Sequence, residues 1–283
     1  MTFALTPSAD YRPARQACVA LAVAVGLLIM VARSSSAATR THASSRQGPH
    51  QSIIIVVAFE GGFVRGDDDH RFEIQMIRRL SEGNIPGLRT ASFSNWQRGK
   101  AQAQILRWLD TEGNGHVSAA EKQNADVILL GHSWGGSAAV KVARRLKKWG
   151  VPVLLTVQID SINKLWGHDC VTPANVANAV NFFQTRGLAH GCRRLWPADP
   201  GHTHVLGNYR FDYTKQPRGC RSFSWVNRHF LRIHNAMDCD PRVWSRVESD
   251  VLSEIRWVET GGNAPVASEY TSASLSCAAE TRP

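Results

Sequence analysis

The sequence predicts an α/β domain with a mostly parallel central sheet and helices on both faces. Three observations carry that reading. Apolar runs of strand length recur at 52–59, 126–133 and 151–160. Segments with helical spacing separate them, and the run at 52–59 is continuously apolar, as a strand covered on both faces requires. With 283 residues, 43% of them hydrophobic, the chain can bury the core of one globular domain.

Each element has its own signal. "SIIIVVAF" (52–59) is a buried strand, and "RFEIQMIRRL" (71–80) places its apolar residues at helical intervals. "LRTASFS" (88–94) is a weaker strand, followed by a helix at "KAQAQILRWL" (100–109). "DVILLGHS" (126–133) is again a buried strand, "GGSAAVKVARRLKKWG" (135–150) an amphipathic helix that stops at glycine, and "VPVLLTVQID" (151–160) a further strand. Beyond Ser161 we expect a helix at "PANVANAVNFF" (173–183) and an extended run at "SFSWVNRHFLRI" (222–233). Val243, Trp244, Val247, Val251, Leu252 and Ile255 trace one face of a final helix. The domain is expected at 52–260, after a linker at 39–51 and before a flexible tail at 261–283.

The first 38 residues read as an address. Gln16 to Ala32 gives 17 uncharged residues behind Arg12 and Arg15, and Ser34 to Ala38 supplies the small residues of a cleavage site. An export signal is expected, with a retained N-terminal membrane anchor as the alternative. Secreted or periplasmic localisation follows. Once Cys18 leaves with the signal, Cys170, Cys192, Cys220, Cys239 and Cys277 remain, enough for two disulfides and one spare thiol. No two cysteines stand at C-x-x-C spacing, which argues against a zinc site. The formal charge of +10 is scattered as single arginines and short pairs. It fits attraction to an anionic membrane or cell-envelope surface, and no nucleic-acid partner is expected.

Chemistry concentrates at "GHSWGG". Gly131 and Gly135 flank Ser133 where a buried strand hands over to a helix, and a serine held on so sharp a turn needs small neighbours two before and two after. With these residues the chain resembles the α/β-hydrolase superfamily, and more narrowly the lipase-like bacterial serine hydrolases with "GHSxGG" at the elbow. The resemblance runs from about Ser52 to Ile255 and is weakest between Cys170 and Ser222. It implies an α/β-hydrolase sandwich and cleavage of a small-molecule or lipid carboxylic ester.

A serine hydroxyl needs a base to take its proton and a carboxylate to fix that base's tautomer. The resemblance places the acid at the end of a strand after the nucleophile, and Asp160 closes "VPVLLTVQID". Asp169 is the reserve. The base belongs in the loop before the last helix, which selects His234 over His229, His202 and His204. "HNAMDCDP" also resembles the histidine loop of lipase-like relatives. The oxyanion hole is expected from the backbone N–H of Trp134 and, in "AFEGGF", from Phe63. Glu60 stands where the lipase pattern has H-G.

Asp110 to Glu121 matches the spacing of a calcium loop, with Asp110, Glu112, Asn114, Ser118 and Glu121 as side-chain ligands and the carbonyl of His116 as the sixth. Glu112 departs from the usual Asp or Asn. Two expectations stand side by side: a structural calcium ion that braces the strand carrying Ser133, or a solvated acidic loop, with no cofactor required for the chemistry in either case. Two alternatives use the same fold: a catalytically silent binding protein and an acyltransferase.

Overall fold

A computed structural model describes residues 52–62, 69–162, 169–187, 189–215, 217, 220, 225, 229 and 231–262. The expected export signal, linker, Cys277 and most of the tail lie outside the described residues. The strands are β1 (Ile53–Glu60), β2 (Leu88–Ser94), β3 (Ala125–His132), β4 (Val153–Ile159), β5 (Val171–Thr172), β6 (Val176–Phe183), β7 (Trp196–Pro197) and β8 (His204–Arg210). The helices are α1 (Phe72–Glu82), α2 (Arg98–Leu109), α3 (Ala119–Gln123), α4 (Trp134–Lys148), α5 (Arg232–Asp238) and α6 (Pro241–Glu259).

Six strands form one parallel sheet in the order β2-β1-β3-β4-β6-β8, and β5 pairs with β7 in a separate short ladder. The alternation of β1 shows why its sequence is continuously apolar. Ile54, Val56 and Ala58 join Met76, Ile77 and Leu80 of α1 and Val243, Trp244, Val247 and Val251 of α6 on one face. Ile55, Val57 and Phe59 join Ala101, Ile105 and Leu109 of α2 and Ala138, Ala139 and Val142 of α4 on the other. Between Ile54 and Phe59 both faces of β1 are therefore covered by apolar side chains. α6 starts with Asp240, whose side chain accepts from the Arg242 N–H at 2.9 Å, and with Pro241 in the first turn.

After β1 the chain crosses to β2 on one side and to β3 on the other. Strand order therefore reverses at β1 and β3, and the crevice beyond their carboxyl ends is where such a sheet can seat a ligand. Gly61 follows β1 there, and Ser133 follows β3.

Two expected elements differ. Residues 176–183 form strand β6 and not a helix. Its asparagines, poor helix formers, find partners outside the strand: Asn178 Nδ2 donates to Glu254 of α6 at 3.2 Å, and Asn181 Nδ2 to the Cys192 carbonyl at 2.7 Å. Tertiary pairing decided the conformation that local composition left open. In the run expected to be extended, the described residues Trp225 and His229 are helical, and 232–238 is helix α5. The last strand of the sheet is β8, which polar residues at His204 and Asn208 disguise.

Disulfides join Cys170 to Cys192 and Cys220 to Cys239. Among the described residues no helix is long and apolar enough to cross a membrane.

Candidate active site

Ser133 occupies the turn between β3 and α4 with φ 57° and ψ −124°. A left-handed φ is costly for a residue with a side chain, and packing on all sides enforces it. A β-carbon on Gly135 would stand 1.9 Å from the Phe59 carbonyl oxygen, and one on Gly131 would stand 2.4 Å from the Gly135 carbonyl carbon. A side chain at Gly135 would require the end of β1 to move, and one at Gly131 would require the first turn of α4 to move as well. The Ser133 N–H donates to the Ile159 carbonyl at 2.9 Å, and its carbonyl accepts from Gly136 and Ile162 at 3.1 and 3.2 Å.

Three sequence-selected side chains meet here, from three separate elements. His234 Nε2 lies 2.7 Å from Ser133 Oγ, and His234 Nδ1 lies 2.7 Å from Asp160 Oδ2. All three are buried, Asp160 completely. Asp160 follows β4 with φ 43°, and its N–H donates to the Phe182 carbonyl at 2.7 Å, so the sheet itself aims the carboxylate. Sited on α5, His234 sits in a short helix and not in the open loop expected of it.

The sequence reading missed two further partners of Asp160. Gln184 Nε2 donates to Oδ2 at 2.9 Å, and the Gly191 N–H donates to Oδ1 at 2.6 Å. Gln184 is itself locked, because its Oε1 accepts from the N–H groups of Arg186 and Gly187 at 2.8 and 2.9 Å. Gly191 must be glycine, since a β-carbon there would stand 2.7 Å from the Asp160 carbonyl carbon. Burial by itself would raise the Asp160 carboxyl. His234 nearby and the hydrogen bonds from His234, Gln184 and Gly191 outweigh it, and the pKa lies below the ordinary value. The carboxylate is therefore charged where it faces the imidazole.

The remaining candidates lie elsewhere. Asp169, the reserve acid, accepts from Ser137 Oγ at 2.6 Å and from Arg144 at 2.8 Å, which ties its loop to α4. His229 is exposed and stacks on Trp225 with ring centroids 4.5 Å apart. Trp134 is the first residue of α4, directly after the nucleophile, at the helix end whose dipole favours an anion. Phe63 lies outside the described residues. Gly61 before it approaches so closely that a β-carbon would stand 2.9 Å from Ser133 Cβ, and Asn95 donates to the Gly62 carbonyl to hold the strand end in place.

The 110–121 loop is closed by its own hydrogen bonds. Glu121 Oε1 accepts from the Thr111 N–H and hydroxyl at 2.7 and 2.9 Å and from the Glu112 N–H at 3.2 Å. Its Oε2 accepts from the Ser118 N–H and hydroxyl at 2.8 and 2.9 Å, completing a capping box on α3. Asp110 accepts from the N–H groups of Asn114 and Gly115 at 3.1 and 2.8 Å, while Asn114 Oδ1 accepts from the His116 N–H at 2.8 Å. The bonds that Glu121 accepts, that from the Ser118 N–H foremost and then those from the Thr111 hydroxyl and the Glu112 N–H, hold its pKa down to about 2. Among the described residues no three carboxylate, histidine or cysteine side chains converge as metal ligands do. The oxygen-rich donor set suits calcium chemically, but an ion would have to displace five donors from Glu121.

No protein-family model matches the chain, and no curated protein aligns with it. Among solved structures the chain is similar to a thermostable esterase from Pseudomonas putida ECU1011, at 18% identity over 41% of this chain, with a TM-score of 0.27. The chain spans 37% of that esterase's length. It is also similar to a cutinase-like protein from Cryptococcus sp., at 14% identity over 72% of this chain and 95% of that one, with a TM-score of 0.35. Esterase B from Lactobacillus Rhamnosis aligns at 15% identity over 73% and 80% of the two chains, with a TM-score of 0.26.

Proposed function

We propose that the protein is an exported serine hydrolase that cleaves carboxylic esters through an acyl-enzyme on Ser133. The observation that carries this reading is the unbroken hydrogen-bonded chain from Ser133 Oγ through His234 to Asp160, with 2.7 Å at both links. With Nδ1–H donated to the charged Asp160, Nε2 of His234 is left as an acceptor for the serine proton. Ser133 Oγ then attacks the ester carbonyl as its proton passes to Nε2. The imidazolium returns that proton to the leaving alkoxide, and a water molecule repeats the cycle to release the acid. The Trp134 N–H and a donor at Phe63 would receive the developing oxyanion.

The two disulfides accord with folding in an oxidising compartment. The calcium reading of 110–121 rests on residue spacing and on the oxygen donor set, and belongs to stability alone. A panel of p-nitrophenyl esters tests the reading: the wild type should turn over one or more of them, and His234→Ala should lower kcat by several orders of magnitude in a folded sample. Full turnover by that variant would remove the base from the mechanism.

A further inference from the structure

Behind the imidazole of His234 lies a second buried histidine that the proposed reaction leaves unused. His132 ends β3, immediately before the nucleophile, and is buried. Its ring packs on that of His234 with centroids 4.7 Å apart and planes 33° apart, and its Nε2 lies 3.3 Å from the His234 carbonyl oxygen. Its Nδ1 lies 3.7 Å from Asp238 Oδ2. Asp238 stands one helical turn beyond His234 on α5, and Arg71, which caps α1, pairs with the same Oδ2. The strand of the nucleophile, the helix of the base and the start of α1 are thus cross-linked at one buried point.

We propose that Arg71, Asp238 and His132 form a positioning unit for the base, in which Arg71 anchors Asp238 and His132 holds His234 by its carbonyl and by its ring. The inference rests on the assignment of Ser133, Asp160 and His234 above.

The geometry sets two tasks. His132 fixes α5 against β3, and so sets the separation of Nε2 and Oγ, which must remain within hydrogen-bond reach. Its ring must also stay uncharged, because His234 becomes a cation during proton transfer and a second cation on the adjoining ring would oppose it. Neutral His132 donates from Nε2 to the His234 carbonyl and turns an unprotonated Nδ1 toward Asp238. That arrangement requires Asp238 to be neutralised from its other side, which Arg71 does. Burial above all pulls His132 down to about 4; Asp238 and Asp160 act in the opposite sense, and His234 and Arg71 reinforce burial. Glu73, on α1 beside Asp238, is raised well above the ordinary value by burial and then by Asp238. Glu60, at the end of β1, belongs to the same buried group.

The test compares kcat, KM and the pH profile of ester hydrolysis for His132→Ala, His132→Gln, Arg71→Met and the double variant Arg71→Met/His132→Gln, with melting measured for each. His132→Ala should lower kcat on the order of 10- to 100-fold with little change in KM, as a displaced base would. His132→Gln, which keeps an uncharged donor, should recover most of that loss. Arg71→Met leaves Asp238 unopposed, so His132 should retain its proton to higher pH and the acid limb of kcat should move upward. In the double variant that movement should vanish.

A purely structural role would lower the melting temperature and leave the shape of the pH profile unaltered in Arg71→Met, which would overturn the proposal. So would a wild-type kcat in His132→Ala. Ser133→Ala, run in parallel, separates the two readings. Turnover surviving in it ends the triad assignment and this proposal together, whereas an inert Ser133→Ala beside unperturbed His132 and Arg71 variants ends only the positioning unit.

Discussion

Replacing Asp160 by asparagine preserves side-chain volume and removes the charge together with one acceptor, so its effect can be worked out bond by bond. Oδ2 accepts from His234 Nδ1 at 2.7 Å and from Gln184 at 2.9 Å, and Oδ1 accepts from the Gly191 N–H at 2.6 Å. An amide offers one oxygen. If that oxygen takes the Oδ2 place, the NH2 group confronts the Gly191 N–H, donor against donor, and a buried N–H goes unsatisfied at about 1–3 kcal/mol. If the amide turns over, its NH2 faces His234 Nδ1, which can accept only as the Nε2–H tautomer. The ring then presents a proton to Ser133 Oγ and cannot take one. Loss of the correct tautomer should cost about 10⁴-fold in kcat, which corresponds to about 5.5 kcal/mol of barrier. Initial rates on a p-nitrophenyl ester, with melting monitored in the same buffer, measure both consequences. Asp169→Asn is the control, since Asp169 serves Ser137 and Arg144, and it should keep kcat within a few-fold of wild type. A folded Asp160→Asn with near-normal kcat, or an inactive but folded Asp169→Asn, would refute the reasoning.

At the elbow, Gly135→Ala places a β-carbon 1.9 Å from the Phe59 carbonyl oxygen. Relief requires the end of β1 to move, at about 3 kcal/mol for overpacking, and calorimetry should record a melting temperature lower by roughly 6–12 °C; an unchanged value would contradict the close approach. Glu121 gives a pH prediction: its folded pKa of about 2 lies below its ordinary value, so its contribution to stability is fully present above the ordinary carboxylate pKa and is lost as pH falls toward 2. Glu121→Gln should lower melting at neutral pH, and its deficit relative to wild type should shrink across that acid window. If the same loop also binds calcium, added calcium should raise wild-type melting and chelator should lower it, with no such response in Glu121→Gln; identical curves with and without the ion would leave a self-capped acidic turn.

The parts of the fold legible in the sequence are those that obey a single constraint. β1, β3 and β4 are covered on both faces and therefore read as runs dominated by apolar residues, with Thr156 and Gln158 of β4 as buried polar exceptions. The elbow is legible because Gly131 and Gly135 are forced by contacts under 3 Å. β6 was misread because Asn178 and Asn181 exchange hydrogen bonds with α6 and with the Cys192 carbonyl, partners that no local pattern reveals. With β6 lost, Gln184 at its end and Gly191 beyond it carried no signal, although both hold Asp160. α5 escaped for a different reason: it is only seven residues long, starts after Leu231 in a left-handed conformation, and is fastened through Cys239 to Cys220. His234 was nevertheless found, because its place before α6 depends on chain order and not on the conformation of its own segment.

The most direct measurement is reaction of the purified protein with a fluorophosphonate, followed by intact mass and peptide mapping. The account predicts one adduct, located on Ser133 in the peptide spanning "GHSWGG", and no adduct in a folded Ser133→Ala variant. An adduct on any other residue, labelling that persists in Ser133→Ala, or an unreactive wild type that also fails to hydrolyse every ester offered would contradict it.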